Sequence, residues 1–178
     1  MGVTAMKRNI LCILLLFGIV VCMTGCNINN IFKTEEEKND EKCQQIIMAI
    51  ENHDADALKG LFSETALHET SDFSEGCDYL FSEYHGTVES IKRTRYSSNT
   101  HYESGKHARE IDCEYEITTS EETYFLYFND WESNTIDPEK EGLYSVKMVT
   151  LEIKDNTENF DPGSRNKRAG IYYPAWDE

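Results

Sequence analysis

Apolar residues recur every three or four positions from Thr34 to Gly86 and then alternate with polar ones. The first half therefore reads as helix and the second as strand. Cys43, Ile46, Ile47 and Ile50 share one helical face, which predicts a helix over Thr34–Asn52. Thr34 and Glu37 have capping-box form, and Glu35, Glu36 and Glu37 suit the positive end of the helix dipole. Asp54 caps a second, short helix marked by Ala57, Leu58, Leu61 and Phe62, after which the chain turns through Ser63 and Glu64. Ser71 or Asp72 caps a third, with Glu75 completing the box for Asp72. Phe73, Cys77, Leu80, Phe81 and Tyr84 mark its buried face before Gly86 stops it.

The run Ile111-Asp112-Cys113-Glu114-Tyr115-Glu116-Ile117 alternates strictly, as a half-buried strand does. Thr87–Tyr96, Thr123–Phe128 and Leu143–Ile153 read as further strands, the last long enough to bend across a curved sheet. His101, Ser104 and Gly105 suggest a turn, Pro138 and Gly142 mark a loop, and Asp161, Pro162 and Gly163 break the chain before a terminal Ile171–Trp176 segment. Helices first and consecutive strands second predict an α+β domain, with N-terminal helices packed on one face of a curved antiparallel sheet.

Ahead of this domain, Lys7 and Arg8 precede an uncharged and mostly apolar run, Ile10–Met23. Such a run reaches about 21 Å as a helix, short of the roughly 30 Å hydrocarbon core, so an export leader is expected in preference to a permanent span. Met6, directly before Lys7, makes a more usual start for such a leader than Met1. The expected organisation is a leader over 1–25, a tether over 26–33 and one domain over 34–178.

The formal charge of -16 would become more negative once Lys7 and Arg8 leave with the leader. That field repels phosphate backbones and anionic headgroups, so no nucleic-acid partner is expected. Cys43, Cys77 and Cys113 of the domain have no CxxC spacing. At most one disulfide with one free thiol fits, and buried unpaired cysteine is preferred because each falls on the apolar phase of its segment.

Met23-Thr24-Gly25-Cys26 resembles the bacterial lipobox, in which a small residue precedes the lipidated cysteine. The resemblance implies lipid on Cys26, cleavage before it and attachment to the outer face of the cell membrane, where two acyl chains suffice for stable anchoring. The stretch Asn52–Ala66 (NHDADALKGLFSETA) resembles the junction of the first two helices in the nuclear transport factor 2-like, or cystatin-like, superfamily. With the lipobox and the ending Ala169–Pro174, it is also similar to a family of lipoproteins of unknown function from Gram-positive gut bacteria.

The superfamily resemblance implies a cone whose open end holds a small apolar ligand, and sheet-mediated homodimers. Tyr84 from the third helix and Tyr115, Tyr127 and Tyr144 from strands are the candidate ligand-binding residues, since tyrosine offers an apolar ring with a polar tip. Ordinary sheet packing accounts for the same residues. The ketosteroid-isomerase pattern is not carried over to any residue: the first helix has no tyrosine, and Asp112, Glu114 and Glu116 fall on the polar phase of their strand.

His53, Asp54 and Asp56, the pair His68 and Glu69, and the pair His101 and His107 lack metal-site spacing. No phosphate loop or nucleophile elbow occurs, so neither catalytic residues nor metal nor cofactor are expected. The basic clusters Lys92-Arg93-Arg95 and Arg165-Lys167-Arg168 read as a solvated strand face and an exposed loop, or as contacts for a protein partner or an anionic wall polymer. The function expected is a lipid-anchored, non-catalytic module that binds a small ligand or a protein. A small enzyme acting on an apolar compound in the cone, or an immunity or inhibitor protein, is the alternative.

Overall fold

In the computed structural model the described residues are 33–156 and 168–173. The leader, Cys26, Arg165, Lys167 and Pro174–Trp176 lie outside them. The chain divides into two compact units at Lys38 and Asn39. The described part of the first unit, residues 33–38, carries the expected capping box: the Thr34 N–H donates to Glu37 Oε2 at 2.7 Å and the Glu37 N–H to Thr34 Oγ1 at 3.2 Å.

Among the described residues four helices precede the sheet: α1 (Glu35–Glu51), α2 (Ala55–Lys59), α3 (Glu64–Glu69) and α4 (Phe73–Glu83). His53, in the left-handed region at φ 52, closes α1 and stacks on Phe81. Asp54 caps α2 by accepting from the Ala57 N–H at 2.8 Å. The turn expected at Ser63–Glu64 is instead the start of α3, because Ser63 Oγ accepts from the Ala66 N–H. The box expected between Asp72 and Glu75 does not form, and Asp72 makes no side-chain cap bond. Its carboxylate takes hydrogen bonds from Thr70 Oγ1 and Tyr173 Oη and pairs with Arg168. Helix α4 ends at Glu83, three residues before Gly86, so Tyr84 belongs to its extended C-cap and not to the helix.

The sheet is open and runs in the order β1 (Val88–Glu103), β2 (Lys106–Thr119), β3 (Thr123–Asn134), β4 (Gly142–Thr150), β5 (Gly170–Ile171). The first four strands are antiparallel, as expected. β5 is parallel to β4 and makes the sheet mixed, which a lone terminal apolar segment could not reveal. Register shifts in every antiparallel pairing bend the strands. The turn between β1 and β2 holds Ser104 and Gly105 alone, with φ 50 and 81; His101, expected in it, pairs with Ala108 inside the ladder. Such a two-residue turn matches the strand twist and lets both strands run past the sequence-based bounds.

The strand expected over Leu143–Ile153 ends at Thr150. Thr150 Oγ1 accepts from the Ile153 N–H and starts a fifth helix, α5 (Leu151–Asn156). Between β3 and β4 a 3-10 turn, Pro138–Lys140, fills the expected loop.

The main core lies between the helices and one sheet face. Cys43, Ile46, Ile47 and Ile50 of α1 and Cys77 and Leu80 of α4 meet Ile111, Cys113, Tyr115 and Ile117 of β2 and Leu126 and Phe128 of β3. A smaller cluster on the other face gathers Phe125, Tyr127 and Val149 under Leu151 and Tyr172. β3 is therefore covered on both sides. The segment Leu61–Ser63 runs beside β4, with the Ser63 N–H donating to the Leu143 carbonyl and the Leu143 N–H to the Leu61 carbonyl, both at 2.9 Å. This contact leaves no room for a side chain at Gly142, whose φ is 124.

Candidate functional site

One cluster of linked polar side chains lies where the first turns of α1 in the second unit meet β1–β3. Asn39 and Cys43 are one turn apart and share the face of α1 turned to the sheet, whereas Asp40 and Lys42 flank it. On one flank Asp40 Oδ1 accepts from Arg93 Nη1 at 3.0 Å and from Tyr115 Oη at 2.9 Å. On the other, Lys42 Nζ donates to Asp130 Oδ1 at 2.8 Å. The Asp130 side chain is 2% exposed, and burial holds its carboxyl above the usual range against the opposing pull of Lys42.

Between these pairs sits Asn39, itself 2% exposed, whose Nδ2 has no hydrogen-bond partner. A buried amide donor without an acceptor costs about 1–3 kcal/mol, which makes this position unlike the satisfied polar groups around it. Cys43 and Cys113 lie beneath as buried free thiols. Burial pushes the Cys113 thiol up to about 12 and the Cys43 thiol higher still, so neither supplies a thiolate near neutrality.

The four candidate tyrosines do not converge on one point. Tyr115 is wholly buried against Phe128, with its hydroxyl on Asp40. Tyr84 stacks on Tyr124 and donates to Glu51 Oε1 at 3.4 Å. Tyr144 packs against the same core but donates outward to Glu69 Oε2 at 2.8 Å, and its hydroxyl is pushed up to about 12, first by burial and then by that carboxylate. Tyr127 is on the opposite sheet face, donating to Asp112 Oδ1 at 2.6 Å. Each hydroxyl already serves a different carboxylate. Of the four, Tyr115 alone bonds to a residue of this cluster, Asp40.

Asp112, Glu114 and Glu116 occupy the second sheet face as the alternation requires, but they are half-buried and engaged, Asp112 by Tyr127 and Asn129, Glu114 by Arg95 and Glu116 by Lys92. Residues Lys92, Arg93 and Arg95 thus all pair with carboxylates. His68 lies in the last turn of α3, and the His107 ring leans on that of Tyr102. Among the described residues no group of His, Cys, Asp and Glu is arranged to hold a metal ion, and no helix is long and apolar enough to cross a membrane.

Residues 45–155 match the model of a family described as a domain of unknown function, DUF5104. The chain belongs to the DUF5104 family. The matched stretch of this DUF5104 protein takes in Arg93, Cys113, Tyr115 and Asp130 and starts just after Cys43. No curated protein matches the chain.

Asn39, Asp40, Lys42 and Asp130 are the site residues that sequence reasoning passed over. A signal existed: Asn39 occupies the helical phase of Cys43, Ile46 and Ile50, where an apolar residue is expected. For Asp130 the signal was weaker, a carboxylate that follows the apolar run Tyr124–Phe128.

Proposed function

We propose that this DUF5104 protein is an exported lipoprotein, held on the outer face of the cell membrane by lipid on Cys26. In this reading its domain, of the nuclear transport factor 2-like kind, binds a small ligand without transforming it. The anchor is supported by the basic start, apolar run and Met23–Cys26 motif of the leader. The superfamily reading is supported by the Asn52–Ala66 junction, and the order of helices before a curved sheet is in keeping with it.

The observation that carries ligand binding is the buried Asn39 amide, an unfilled donor set between two fixed ion pairs. It suits a small, mainly apolar molecule bearing one hydrogen-bond-accepting oxygen, whose apolar part would meet Cys43 and Tyr115. Native mass spectrometry of the protein purified from its host tests this. A bound mass in the wild type that disappears in Asn39→Leu is expected. A wild type free of any small molecule, or a variant that keeps it, defeats the reading. Replacing Cys26 with Ser should abolish lipid labelling, and labelling that persists refutes the anchor.

A catalytic reading has one observation in its favour, the buried Asp130 carboxylate with its raised proton affinity. Lys42 occupies that carboxylate at hydrogen-bond distance, as in a structural ion pair, and binding is therefore the preferred function.

A further inference from the structure

Among the described residues β1 is an edge strand of the sheet, bonded on one side to β2. Its outer part, Arg95–Glu103, pairs with β2 in unbroken register as far as Lys106–Glu114, whereas shifts interrupt the pairing nearer its start. Ser97–Glu103 are exposed, Tyr102 most of all the large side chains here at 76%. Edge strands normally carry lysine, proline or bulges that prevent pairing with another chain. The segment Tyr96–Tyr102 (YSSNTHY) carries none of these and no carboxylate, on a chain with net charge -16.

The segment is also complementary to itself. Laid antiparallel against a second copy about a two-fold axis at Asn99, Arg95 faces Glu103, Tyr96 faces Tyr102, Ser97 faces His101 and Ser98 faces Thr100. Opposite charges and aromatic rings directly across a strand pair are favourable, and the two-fold axis forms each contact twice. The tight turn at Ser104–Gly105 fixes which backbone groups are available. A two-residue hairpin closes on a hydrogen-bonded pair, Glu103 with Lys106, so Glu103, His101, Asn99, Ser97 and Arg95 turn their N–H and C=O groups toward β2. Tyr102, Thr100, Ser98 and Tyr96 turn theirs outward, and in the self-paired arrangement these are the residues that face one another.

We infer that β1 is a homodimerisation strand: two copies of this chain join edge to edge through Arg95–Glu103, related by a two-fold axis at Asn99. Arg95, 69% exposed in its side chain, reaches Glu114 of its own chain at 3.3 Å, and its guanidinium has further donors for the partner's Glu103. The interface is short, so the dimer is weak in dilute solution and gains from confinement on a surface. It does not depend on the ligand-binding reading.

The test uses the full chain in intact cells. At the axis the two Asn99 residues form a non-hydrogen-bonded pair with close Cα atoms, the geometry that a disulfide accepts. Asn99→Cys should cross-link to a dimer on mild oxidation, whereas Asp56→Cys, an exposed position on α2, should not. Adding Ser98→Pro, which removes only an outward N–H, should abolish the cross-link while the protein stays folded. Equal cross-linking of Asn99→Cys and Asp56→Cys, or a cross-link that survives Ser98→Pro, overturns the inference. Should Asn99→Cys fail to fold, Arg95→Lys treated with a carbodiimide gives a second reading. An intermolecular amide to Glu103, lost in Glu103→Gln, is expected, and its absence is decisive against the pairing.

Discussion

Lys42 Nζ stands 2.8 Å from Asp130 Oδ1 and ties the first helix to the third strand through a carboxylate sealed from water. Removing one partner of such a pair leaves a buried charge unanswered. Lys42→Met should therefore lower stability by about 3–5 kcal/mol at neutral pH, read by chemical denaturation. The deficit should fade as pH falls through the raised value of Asp130, because the protonated acid needs no partner. Lys42→Met combined with Asp130→Asn should recover most of it, and an unrecovered double variant would show that the lysine acts through packing instead.

Gly76 lies where α4 meets β5, and a Cβ there would stand 2.5 Å from Ile171 Cβ. Gly76→Ala should cost about 1–3 kcal/mol as overpacking, offset in part by better helix propensity. Hydrogen exchange should rise selectively at Ile171 and Tyr172, whose N–H donates to the Val146 carbonyl. Unchanged exchange there would mean that the helix moves instead of the strand.

The thiols of Cys77 and Cys113 are pushed up to about 11 and about 12, chiefly by burial. Acids raised on folding stabilise the fold below their unfolded value, and that contribution is lost as pH rises through the folded one. Stability should thus decline from about pH 9 upward, in a range where the buried tyrosines Tyr84, Tyr115 and Tyr127, likewise raised by burial, add to the slope. At pH 8, peptide mapping after alkylation should find Cys43, Cys77 and Cys113 unmodified until denaturant unfolds the chain.

Asp72 behaves in the opposite sense. Burial would raise its carboxyl, but hydrogen bonds from Thr70 and Tyr173, with the charge of Arg168, outweigh that and hold it below the usual range. Its contribution is present above the unfolded value and lost as pH falls through the folded one. Acidification below about pH 4 should loosen the Arg168–Tyr173 segment, and Asp72→Asn should give the same loosening at neutral pH.

The amphipathic elements were legible because one physical rule governs them. Cys43, Ile46 and Ile50 mark α1, and Ile111–Ile117 marks β2, by period alone. Lengths and ends were less legible, since they depend on partners remote in sequence. β1 runs on to Glu103 because β2 pairs with it, and β4 stops at Thr150 because a hydroxyl caps a helix there. The alternation placed Tyr115 in the core, but it could not separate Tyr127 from Tyr124, because β3 is apolar on both faces. The polar site escaped notice for a related reason. Its members Asp40, Lys42, Arg93 and Asp130 look like ordinary surface charges until the fold brings them into pairs.

The parallel placement of β5 bears on the order in which the chain can assemble. Strands β1 to β4 are consecutive in sequence and each pairs with the one before it, so this ladder can extend as the chain emerges. β5 is separated from β4 by α5 and the residues that follow it, and Ile171 must reach back to Gly76 and Val146. Until residue 171 has been made, the β4 edge stays open at Ser145–Val146, beyond the stretch that Leu61–Ser63 covers, and the groove beside Gly76 unfilled. Closure of this layer is thus a late step, one that a growing chain cannot complete ahead of time.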